Sequence, residues 1–392
     1  MGFSLANRYQ TQAVNPTRSY DVAIIGGGLA GLCLSIQLSR AGYSVVLFEK
    51  ERYPFHKVCG EYISFESWNF LEDLGIPLSD WNLPLIKKLQ VTTPSGAMLE
   101  EDLPLGGFGL SRFKLDAALA AVSRTTGTLV MEETKVTDVV FTDKIFTVSA
   151  SGQRFEAKIV CGTFGKRSNL DIKWKRRFTR KKGSGLNNYI GVKYHLRIEQ
   201  PEQLIALHNF SLGYCGISLV EDNIHCLCYL TAAKNLQRCG NSISQLEKEI
   251  LRTNPHLDRI FATAEFLFAQ PLTISQVSFE KKSQVEDHVL LIGDAAGMIT
   301  PLCGNGMSIA MHGSKIAYVC IDLFLQGKIA RHELEQEYTD RWHRTFHRRL
   351  QTGRMIQRFF GRELLTDLLI ATLRPFPRII SWLISKTHGQ PF

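Results

Sequence analysis

The chain lacks any uninterrupted apolar stretch of about 18 residues, the length at which a segment becomes a candidate membrane-spanning helix. Its first 19 residues are polar and have no apolar core of the kind found in secretory signal peptides. Internal repeats and low-complexity tracts are absent as well. These absences exclude repeat proteins and integral membrane proteins from the expected classes, and they favour a location in the cytoplasm.

A disulfide framework is also missing, although the sequence contains nine cysteines. Their odd number and scattered spacing favour a reducing compartment. Cys226 and Cys228 stand two apart in a strand-like run beside His225. Because adjacent strand positions point to opposite faces and no second ligand pair of suitable spacing exists, we expect buried structural cysteines and no metal site.

The composition indicates a globular protein. With 392 residues, 44% of them hydrophobic and 21% charged, the chain is long enough for two or three domains of roughly 150 residues each. Its formal net charge of +9 favours an anionic partner, and both nucleic acid and membrane headgroups fit that description.

Gly26, Gly28 and Gly31 follow an apolar run and open a helical pattern. In a strand-turn-helix unit, such glycines allow a tight turn, close approach of the backbone to a pyrophosphate, and close helix packing. We expect a strand over 20–25, a helix over about 29–39 and a second strand over 44–49. Glu49, at the end of the second strand, would accept from ribose hydroxyls and repel a 2′-phosphate. The pattern therefore predicts an adenine dinucleotide, with NADP disfavoured.

A second glycine-rich segment follows the apolar run 289–292 near the far end of the chain. Small residues after Asp294 let the backbone approach a phosphate, and the Asp294 carboxylate can accept from a sugar or ribityl hydroxyl. Gly304 and Gly306 open the next helix, so that its free N–H groups face the same place. We therefore expect a dinucleotide domain built from separated segments.

Between these two landmarks the sequence is mostly strand-like, with turn residues separating several of the strands. The predicted strands cover 88–93, 135–141, 146–150, 190–196, 216–220 and 225–230. This pattern predicts an antiparallel sheet that forms a second domain.

Four stretches resemble the FAD-dependent flavoproteins that include p-hydroxybenzoate hydroxylase and, more closely, the geranylgeranyl reductases. They are Gly26 to Gly31 with Glu49; Lys57-Val58-Cys59-Gly60-Glu61; Gly109-Leu110-Ser111-Arg112 with Asp116; and Gly293-Asp294 with Gly304-Asn305-Gly306. The resemblance covers roughly residues 20 to 325, and its first and last stretches are the most specific.

The resemblance implies an α/β fold, in which a discontinuous Rossmann-type FAD-binding domain is joined to an antiparallel β-sheet substrate domain and a helical C-terminal tail. We expect the FAD-binding domain at 1–75, 106–180 and 281–328, the substrate domain at 76–105 and 181–280, and the tail at 329–392.

Carried onto this sequence, the family's pattern implies that Arg112 contacts FAD, that Asp294 binds the ribityl chain, and that the loop from Pro301 to Gly306 cradles the flavin ring. A helix N-terminus aimed at the ring would stabilise negative charge there by up to about 2 kcal/mol. The expected cofactor-binding residues are Gly26, Gly28, Leu29, Ala30, Gly31, Glu49, Lys50, Lys57, Cys59, Gly60, Arg112, Gly293, Asp294, Pro301, Gly304, Asn305, Gly306 and Met307.

Two positions depart from the family's pattern. Glu61 stands where the reductases have the second glycine of Lys-x-Cys-Gly-Gly. Phe164 stands where the hydroxylases have the acid of an Asp-Gly pair that touches FAD and NADPH. We therefore do not carry NADPH binding over to the Phe164 loop, and the electron donor is either NAD(P)H bound transiently or a partner electron carrier.

Cys59 is the candidate catalytic residue, because the family's Lys-x-Cys-Gly-Gly segment lies near the flavin. It would act as proton donor to a reduced alkene, or else form a polarisable wall of the cavity.

Seven basic residues lie between Lys173 and Lys182, interleaved with Trp174 and Phe178. No nucleic-acid motif accompanies them, so we expect a solvated basic loop and no nucleic-acid partner. Membrane headgroups and an acidic redox partner are the alternatives.

Apolar residues recur at every fourth position from Leu334 to Leu350, flanked by arginines. A basic amphipathic helix of this kind either lies in a membrane interface or packs on the catalytic domains. The hypothesis of peripheral membrane attachment rests on the arginine flanks together with Trp342, Trp382 and Phe359-Phe360, and it would give access to a lipid-soluble substrate.

The sequence thus predicts an FAD-dependent oxidoreductase that acts on a lipophilic small molecule. The Cys-Gly stretch and the segment from Pro301 to Gly306 favour reduction of carbon–carbon double bonds in a polyprenyl or other lipid. Hydroxylation of a lipophilic aromatic ring, of the phenol or quinone type, is the alternative. A flavin-binding docking protein without catalysis is a third hypothesis, motivated by Glu61 and Phe164.

Overall fold

The computed structural model describes residues 18–180, 187–299, 304–359, 367, 372 and 389–392. Its strands are β1 Arg18–Ile25, β2 Val45–Phe48, β3 Tyr62–Ser64, β4 Leu85–Thr92, β5 Met98–Gly109, β6 Leu129–Met131, β7 Val136–Thr142, β8 Ile145–Ala150, β9 Gln153–Gly162, β10 Asn187–Arg197, β11 Leu204–Phe210, β12 Gly213–Val220, β13 Ile224–Ala232, β14 Glu265–Phe266, β15 Leu272–Ser278, β16 Val285–Glu286 and β17 Val289–Leu291. Its helices are α1 Leu29–Arg40, α2 Trp68–Asp73, α3 Arg112–Thr125, α4 Asn169–Lys173, α5 Arg177–Arg180, α6 Ala233–Arg238, α7 Ile243–Glu249, α8 Pro255–Thr263, α9 Gly306–Leu325 and α10 Arg331–Phe359.

The first sheet has the order β16-β17-β9-β1-β2-β6, and β1 pairs in parallel with both β2 and β9. Residues 22–25 of β1 are buried, as expected for a parallel strand whose two faces are covered. β17 joins the same sheet through a parallel pairing with β9. The two glycine-rich landmarks therefore follow strands of one sheet, and the expected α/β fold with a discontinuous dinucleotide-binding domain is confirmed.

The hairpin β7-β8 extends this first sheet through the antiparallel pairing of β8 with β9. The strand pattern assigned both strands to the antiparallel sheet of the second domain, and for this hairpin that assignment is wrong, because alternation does not show which sheet a strand joins. Strand pairing, rather than alternation along the chain, decides that question.

The second sheet has the order β14-β10-β13-β12-β11-β4-β5-β3, with β15 also pairing with β10. It is antiparallel except where β11 and β4 run in parallel. Val192, Tyr194 and Leu196 of β10 belong to an apolar core that includes residues of α6, α7 and α8. Lys193 and His195 alternate with them and contact the loop after Cys59 instead. The second sheet is thus packed against helices on one face and turns charged residues toward the first domain on the other.

Helix α9 is the one helix in the described part of the chain whose length and mean hydropathy reach those of a membrane span. Half of its apolar window is buried within the protein, where α9 packs against α1 and α10. These contacts are those of a core helix.

Helix α10 carries the amphipathic pattern predicted from Leu334 to Leu350. Its apolar face, formed by Leu334, Tyr338, Trp342, Phe346 and Leu350, is buried. The Tyr338 hydroxyl donates a 2.6 Å hydrogen bond to the Leu291 carbonyl of β17. This face packs on the first sheet, so the membrane alternative is wrong for it. Phe360 and Trp382 lie outside the described residues.

Candidate functional site

The turn between β1 and α1 is a backbone cradle that side chains would fill. Gly26 adopts a φ of 110°, and a Cβ there would lie 2.7 Å from the Thr163 carbonyl oxygen. A Cβ on Gly31 would lie 2.1 Å from the Gly26 carbonyl oxygen. Gly28 caps α1 with its backbone only, and Leu29 and Ala30 form the buried first turn. The free N–H groups of this turn form an anion site of the kind that binds a pyrophosphate.

Glu49 holds the turn from the end of β2. Its Oε2 accepts the Gly27 N–H at 2.8 Å, and its Oε1 accepts the Glu51 N–H at 3.1 Å. The Tyr53 hydroxyl donates to the Gly27 carbonyl at 2.5 Å from the opposite side. A carboxylate offers about four acceptor positions, so Glu49 retains capacity for ribose hydroxyls. Sequence reasoning missed Tyr53, because no spacing marks its contact.

Positive charge lies over the cradle. Arg112, at the start of α3, is fixed by Asp116 through hydrogen bonds of 2.7 and 2.8 Å, and Lys57 lies 3.0 Å from the same carboxylate. The Arg112 Nη2 and the Lys57 Nζ lie 3.6 and 3.8 Å from the place that a Cβ on Gly28 would occupy. Burial works against ionisation of Asp116, but the charges of Arg112 and Lys57 outweigh it and keep its pKa below the usual value. These two cations are placed where a pyrophosphate on the cradle would need them.

The Gly293–Ala295 turn closes the site from the far end of the chain. A Cβ on Gly293, whose φ is 65°, would lie 3.4 Å from the Cβ of Ala30 in α1. The Asp294 carboxylate has no hydrogen-bond partner within the described ranges and is half-buried. It is therefore free to accept from a ligand hydroxyl at the cradle.

Two buried cations hold this turn from behind. Lys282 donates to the Asp294 carbonyl at 2.7 Å, and Arg176 donates to the Ala295 carbonyl at 3.0 Å. Burial lowers the pKa of Lys282 to about 8. Arg176 is also paired with Asp171 at 2.7 Å, and both side chains are almost fully buried. The sequence pattern missed this arrangement, because Arg176 and the turn that it holds are 119 residues apart.

Arg176 belongs to the basic segment between Lys173 and Lys182, which we expected to be a solvated loop. That expectation is wrong for Arg176, and also for Phe178, whose buried ring lies 4.5 Å from the Lys282 ammonium. Lys173 is exposed and pairs with Asp138. At least part of the segment's charge is therefore internal, while Lys181 and Lys182 lie outside the described residues.

The start of α9 brings the remaining predicted residues to the same place. Asn305 caps the helix and is buried, and Met307 is buried in its first turn. Gly304 has a φ of 62°, and a Cβ there would lie 2.8 Å from the Tyr62 ring. Tyr62 follows Glu61 directly, so the Lys57–Glu61 stretch and the α9 N-terminus meet. Pro301 lies outside the described residues.

Two predicted residues take no part in this convergence. The Lys50 side chain is 67% exposed and pairs with Glu51 at 3.3 Å. Gly60 is exposed, and a Cβ there would meet nothing within 4 Å. The geometry gives neither residue a contact with the cradle.

Cys59 lies beside a buried charged cluster. Its carbonyl accepts the Cys226 thiol at 3.2 Å. Glu61, which is fully buried and has a left-handed φ of 56°, contacts Lys193 and His195 of β10. Cys226, expected to be only structural, therefore contacts the segment that carries the candidate catalytic residue. The pair Lys193 and His195, two apart on one strand face, was the signal in the sequence that could have indicated the cluster.

The comparisons with known proteins agree with this geometry. Residues 19–195 match the family described as an FAD binding domain. Conditioned medium factor receptor 1 of Dictyostelium discoideum is 24% identical over 354 residues, 82% of this chain and 67% of that protein. Digeranylgeranylglycerophospholipid reductase 1 of Methanothermobacter thermautotrophicus is 25% identical over 323 residues, 76% of this chain and 75% of that protein.

The fold is also that of a solved flavoprotein. The crystal structure of a geranylgeranyl bacteriochlorophyll reductase-like protein from Thermoplasma acidophilum covers 96% of this chain and 97% of its own, with a TM-score of 0.75 and 18% identity.

The fold and the site together define a flavin-dependent oxidoreductase. More particularly, the chain is similar to the geranylgeranyl reductases among the FAD-dependent flavoproteins, and its cofactor is FAD. The residues present fit that cofactor, because the glycine cradle, the two cations over it and the free Asp294 carboxylate match a pyrophosphate and a polyol chain.

Proposed function

We propose that this protein reduces carbon–carbon double bonds of a polyprenyl or similar lipid, using FAD. The observation that carries the proposal is that the Cys59 segment meets the α9 N-terminus through Tyr62 and Gly304, at the site that the glycine cradle assembles. The relative from Methanothermobacter, whose name specifies reduction of a polyprenyl lipid, supports the substrate class. Bound FAD would supply two-electron transfer as hydride.

The residues around the site have distinct roles in this proposal. Arg112 and Lys57 bind the pyrophosphate, Glu49 binds the ribose, and Asp294 binds the ribityl hydroxyls. The N-terminus of α9 stabilises negative charge on the ring, by up to about 2 kcal/mol. Cys59 provides the proton that the second alkene carbon receives, or it shapes the cavity wall beside that carbon.

The test is single turnover with the purified, FAD-loaded and chemically reduced protein. A geranylgeranyl-bearing phospholipid in detergent is the substrate, and product masses are measured. We expect two hydrogens to be added for each double bond consumed, and oxidised FAD to appear in the same amount. A product that gains one oxygen in the presence of air and an aromatic acceptor would instead establish the hydroxylase. If no product formed with any acceptor, the remaining hypothesis would be a flavin-binding docking protein without catalysis.

Cys59 is tested by replacement with alanine, with Cys320→Ala, a buried cysteine of α9, as the matched control. A proton-donating thiol predicts that Cys59→Ala slows product formation by about 100-fold at unchanged FAD content. A rate equal to that of the control assigns Cys59 to the cavity wall.

We further infer that the protein works in the cytoplasm at a membrane surface, where a lipid substrate resides, and that it takes electrons from NAD(P)H or a protein donor. The net charge of +9 supports an anionic surface as partner. We expect the protein to pellet with vesicles containing anionic lipid at low salt and to be released as salt screens the charges. Failure to pellet at low salt, with neutral vesicles as the control, would contradict the inference.

A further inference from the structure

The basic segment that contains α4 and α5 divides into an inner and an outer set of side chains. The inner set is buried and consists of Leu170, Asp171, Arg176 and Phe178. The outer set is exposed and consists of Ile172, Lys173, Lys175, Arg177 and Arg180, which together form the α4–α5 surface. Four of the outer side chains are basic. The fifth, Ile172, is 54% exposed, more than any other large hydrophobic side chain that the structure describes.

The inner side chains hold the α4–α5 surface in place. The Arg176 guanidinium donates to the Asp171 carboxylate at 2.7 Å and to the Ala295 carbonyl at 3.0 Å. The Ser168 hydroxyl and the Asp171 carboxylate form a capping box at the start of α4. The Phe178 ring lies 4.5 Å from the Lys282 ammonium. The outer side chains therefore project from a backbone that buried contacts fix to the first domain.

Most of the positive charge on the α4–α5 surface is uncompensated. Lys175, Arg177 and Arg180 have no hydrogen-bond or ion-pair partner for their side chains among the described residues. Lys173 is paired with Asp138 at 2.7 Å. The other nearby acid, Glu286, lies 3.6 Å from the buried Arg176 Nε. Three unpaired cations next to an exposed aliphatic side chain thus face solvent together.

This combination has the chemistry of a bilayer interface. Anionic headgroups attract each lysine or arginine near the membrane surface, and the boundary of the acyl chains takes up apolar side chains. Neither interaction needs a partner of matching shape. A specific protein interface instead buries about 800 Å² on each partner around well-packed anchor residues. Ile172 is the only apolar member of the α4–α5 surface, so the pattern favours a bilayer over an acidic protein.

We propose that the α4–α5 surface binds the protein to anionic bilayers. Ile172 enters the interface, and Lys175, Arg177 and Arg180 contact the headgroups. The proposal rests on the proposed function for its purpose, because a polyprenyl lipid has to be reached in a membrane.

The α4–α5 surface also adjoins the FAD site. Lys282, which lies against the Phe178 ring, donates to the Asp294 carbonyl at 2.7 Å, and Arg176 donates to the next carbonyl along the chain. A bilayer bound here lies beside the turn to which we assign the ribityl chain. The membrane contact is therefore on α4 and α5, and not on the buried apolar face of α10.

The test is flotation of the FAD-loaded protein with vesicles of phosphatidylcholine and phosphatidylglycerol at low salt. The variant combines Lys175→Gln, Arg177→Gln and Arg180→Gln. The matched control combines Lys87→Gln, Lys88→Gln and Lys234→Gln, which remove the same charge from exposed positions of the second domain. Each headgroup contact contributes about 5-fold, so we expect the first variant to lower the partition coefficient by about 100-fold. The control should stay near the wild type, and an equal loss in both variants would overturn the α4–α5 surface.

Ile172 is tested separately by Ile172→Ser, with Leu85→Ser as the control. Leu85 is 42% exposed on β4 of the second sheet. We expect Ile172→Ser to weaken vesicle binding by about 5-fold, because it removes apolar area that enters the interface. Added salt should leave this effect in place while it reduces the effect of the charge variant, since salt screens only the charges. A loss in Ile172→Ser no larger than in the control would overturn the insertion of Ile172.

Two further measurements separate the remaining explanations. Polyglutamate serves as the probe for an acidic protein partner. If the charge variant lost binding to polyglutamate but kept wild-type binding to vesicles, the bilayer would be overturned in favour of such a partner. FAD content should be unchanged in every variant, because the replaced side chains are exposed.

The second measurement is reduction of the same lipid in detergent and in vesicles. The charge variant should match the wild type in detergent and be about 100-fold slower with vesicles. Equal rates of wild type and variant with vesicles would contradict a role of the surface in reaching the lipid. If no lipid were reduced in either form while the charge variant still lost vesicle binding, the proposed reduction would be overturned and the α4–α5 surface would stand.

Discussion

At the scale of single residues, Glu61 combines full burial, an ionised carboxylate and two cationic or potentially cationic neighbours. We expect Glu61→Gln to lower the free energy of unfolding by about 3 kcal/mol, because it leaves the Lys193 ammonium buried without a counter-charge. Urea denaturation measures the loss. The control is Glu265→Gln, which breaks an exposed pair with Arg197 on the same sheet and should change little.

The sign of the pH dependence follows from the lowered pKa of Glu61. A carboxyl group whose folded pKa lies below its unfolded value adds stability above the unfolded pKa and loses it as pH falls through the folded one. The difference between wild type and Glu61→Gln should therefore be full at neutral pH and shrink in acid. A difference that stays constant down to the acid transition would contradict an ionised Glu61.

Asp294 carries a different expectation, because its carboxylate is free in the described structure. We expect Asp294→Ala to release FAD during gel filtration while leaving the fold intact. Absorbance of the flavin relative to protein measures this. Asp102→Ala, on an exposed position of β5, is the control. Unchanged flavin content in Asp294→Ala would remove its assigned role.

At the scale of elements, the Gly293–Ala295 turn depends on a lysine that the fold makes unusually acidic. Between about pH 8 and 10.5, an unfolded chain holds a proton on Lys282 that the folded protein has lost, so the unfolded state binds more protons and stability rises with pH. We expect wild type to gain about 1.4 kcal/mol per pH unit over Lys282→Met within this window. The control Lys281→Met changes the exposed neighbouring lysine, and its stability should depend on pH as that of the wild type does. If the stability of all three proteins changed in parallel with pH, the lowered pKa of the buried Lys282 would be contradicted.

Periodicity predicted the elements whose partners are local. The β1-α1-β2 unit and the apolar face of α10 were predicted correctly, because their signals are hydrophobic spacing and glycine position. β5 was missed, since its run of Glu100, Glu101 and Asp102 hides the alternation of a half-exposed strand. The contacts of Arg176 with the Ala295 carbonyl and of Lys282 with the Lys166 carbonyl were missed for another reason: they form across more than 100 residues, and no local pattern encodes them.

At the scale of the whole molecule, FAD would contact three stretches that are distant in sequence. Its removal should therefore lower the stability of the whole fold. We expect FAD at 100 times its dissociation constant to raise the free energy of unfolding by about 2.7 kcal/mol. Thermal unfolding of the apoprotein with added FAD measures this. Riboflavin, which lacks the pyrophosphate, should stabilise much less, because it cannot use the glycine cradle. Equal effects of both ligands would contradict the cradle's role.

The part of the candidate site that consists of local motifs was predicted from the sequence. The part that depends on contacts between distant segments was not. Each glycine motif can be recognised from a few neighbouring residues. The contacts of Gly304 with Tyr62 and of Glu61 with β10 depend instead on how the two sheets pack against each other. Motifs thus identified the cofactor, while the charged surroundings of Cys59 required the fold.

The pairing of β17 with β9 in the first sheet also bears on synthesis. Residues 162 and 289 are 127 positions apart, so at about 5 to 20 residues per second the ribosome makes β17 roughly 6 to 25 s after β9. During that interval β9 has an open edge, and the half-built pocket has no Asp294. A nascent chain in this state exposes sheet edge to its neighbours. We expect chaperone contact to fall once α9 has left the exit tunnel.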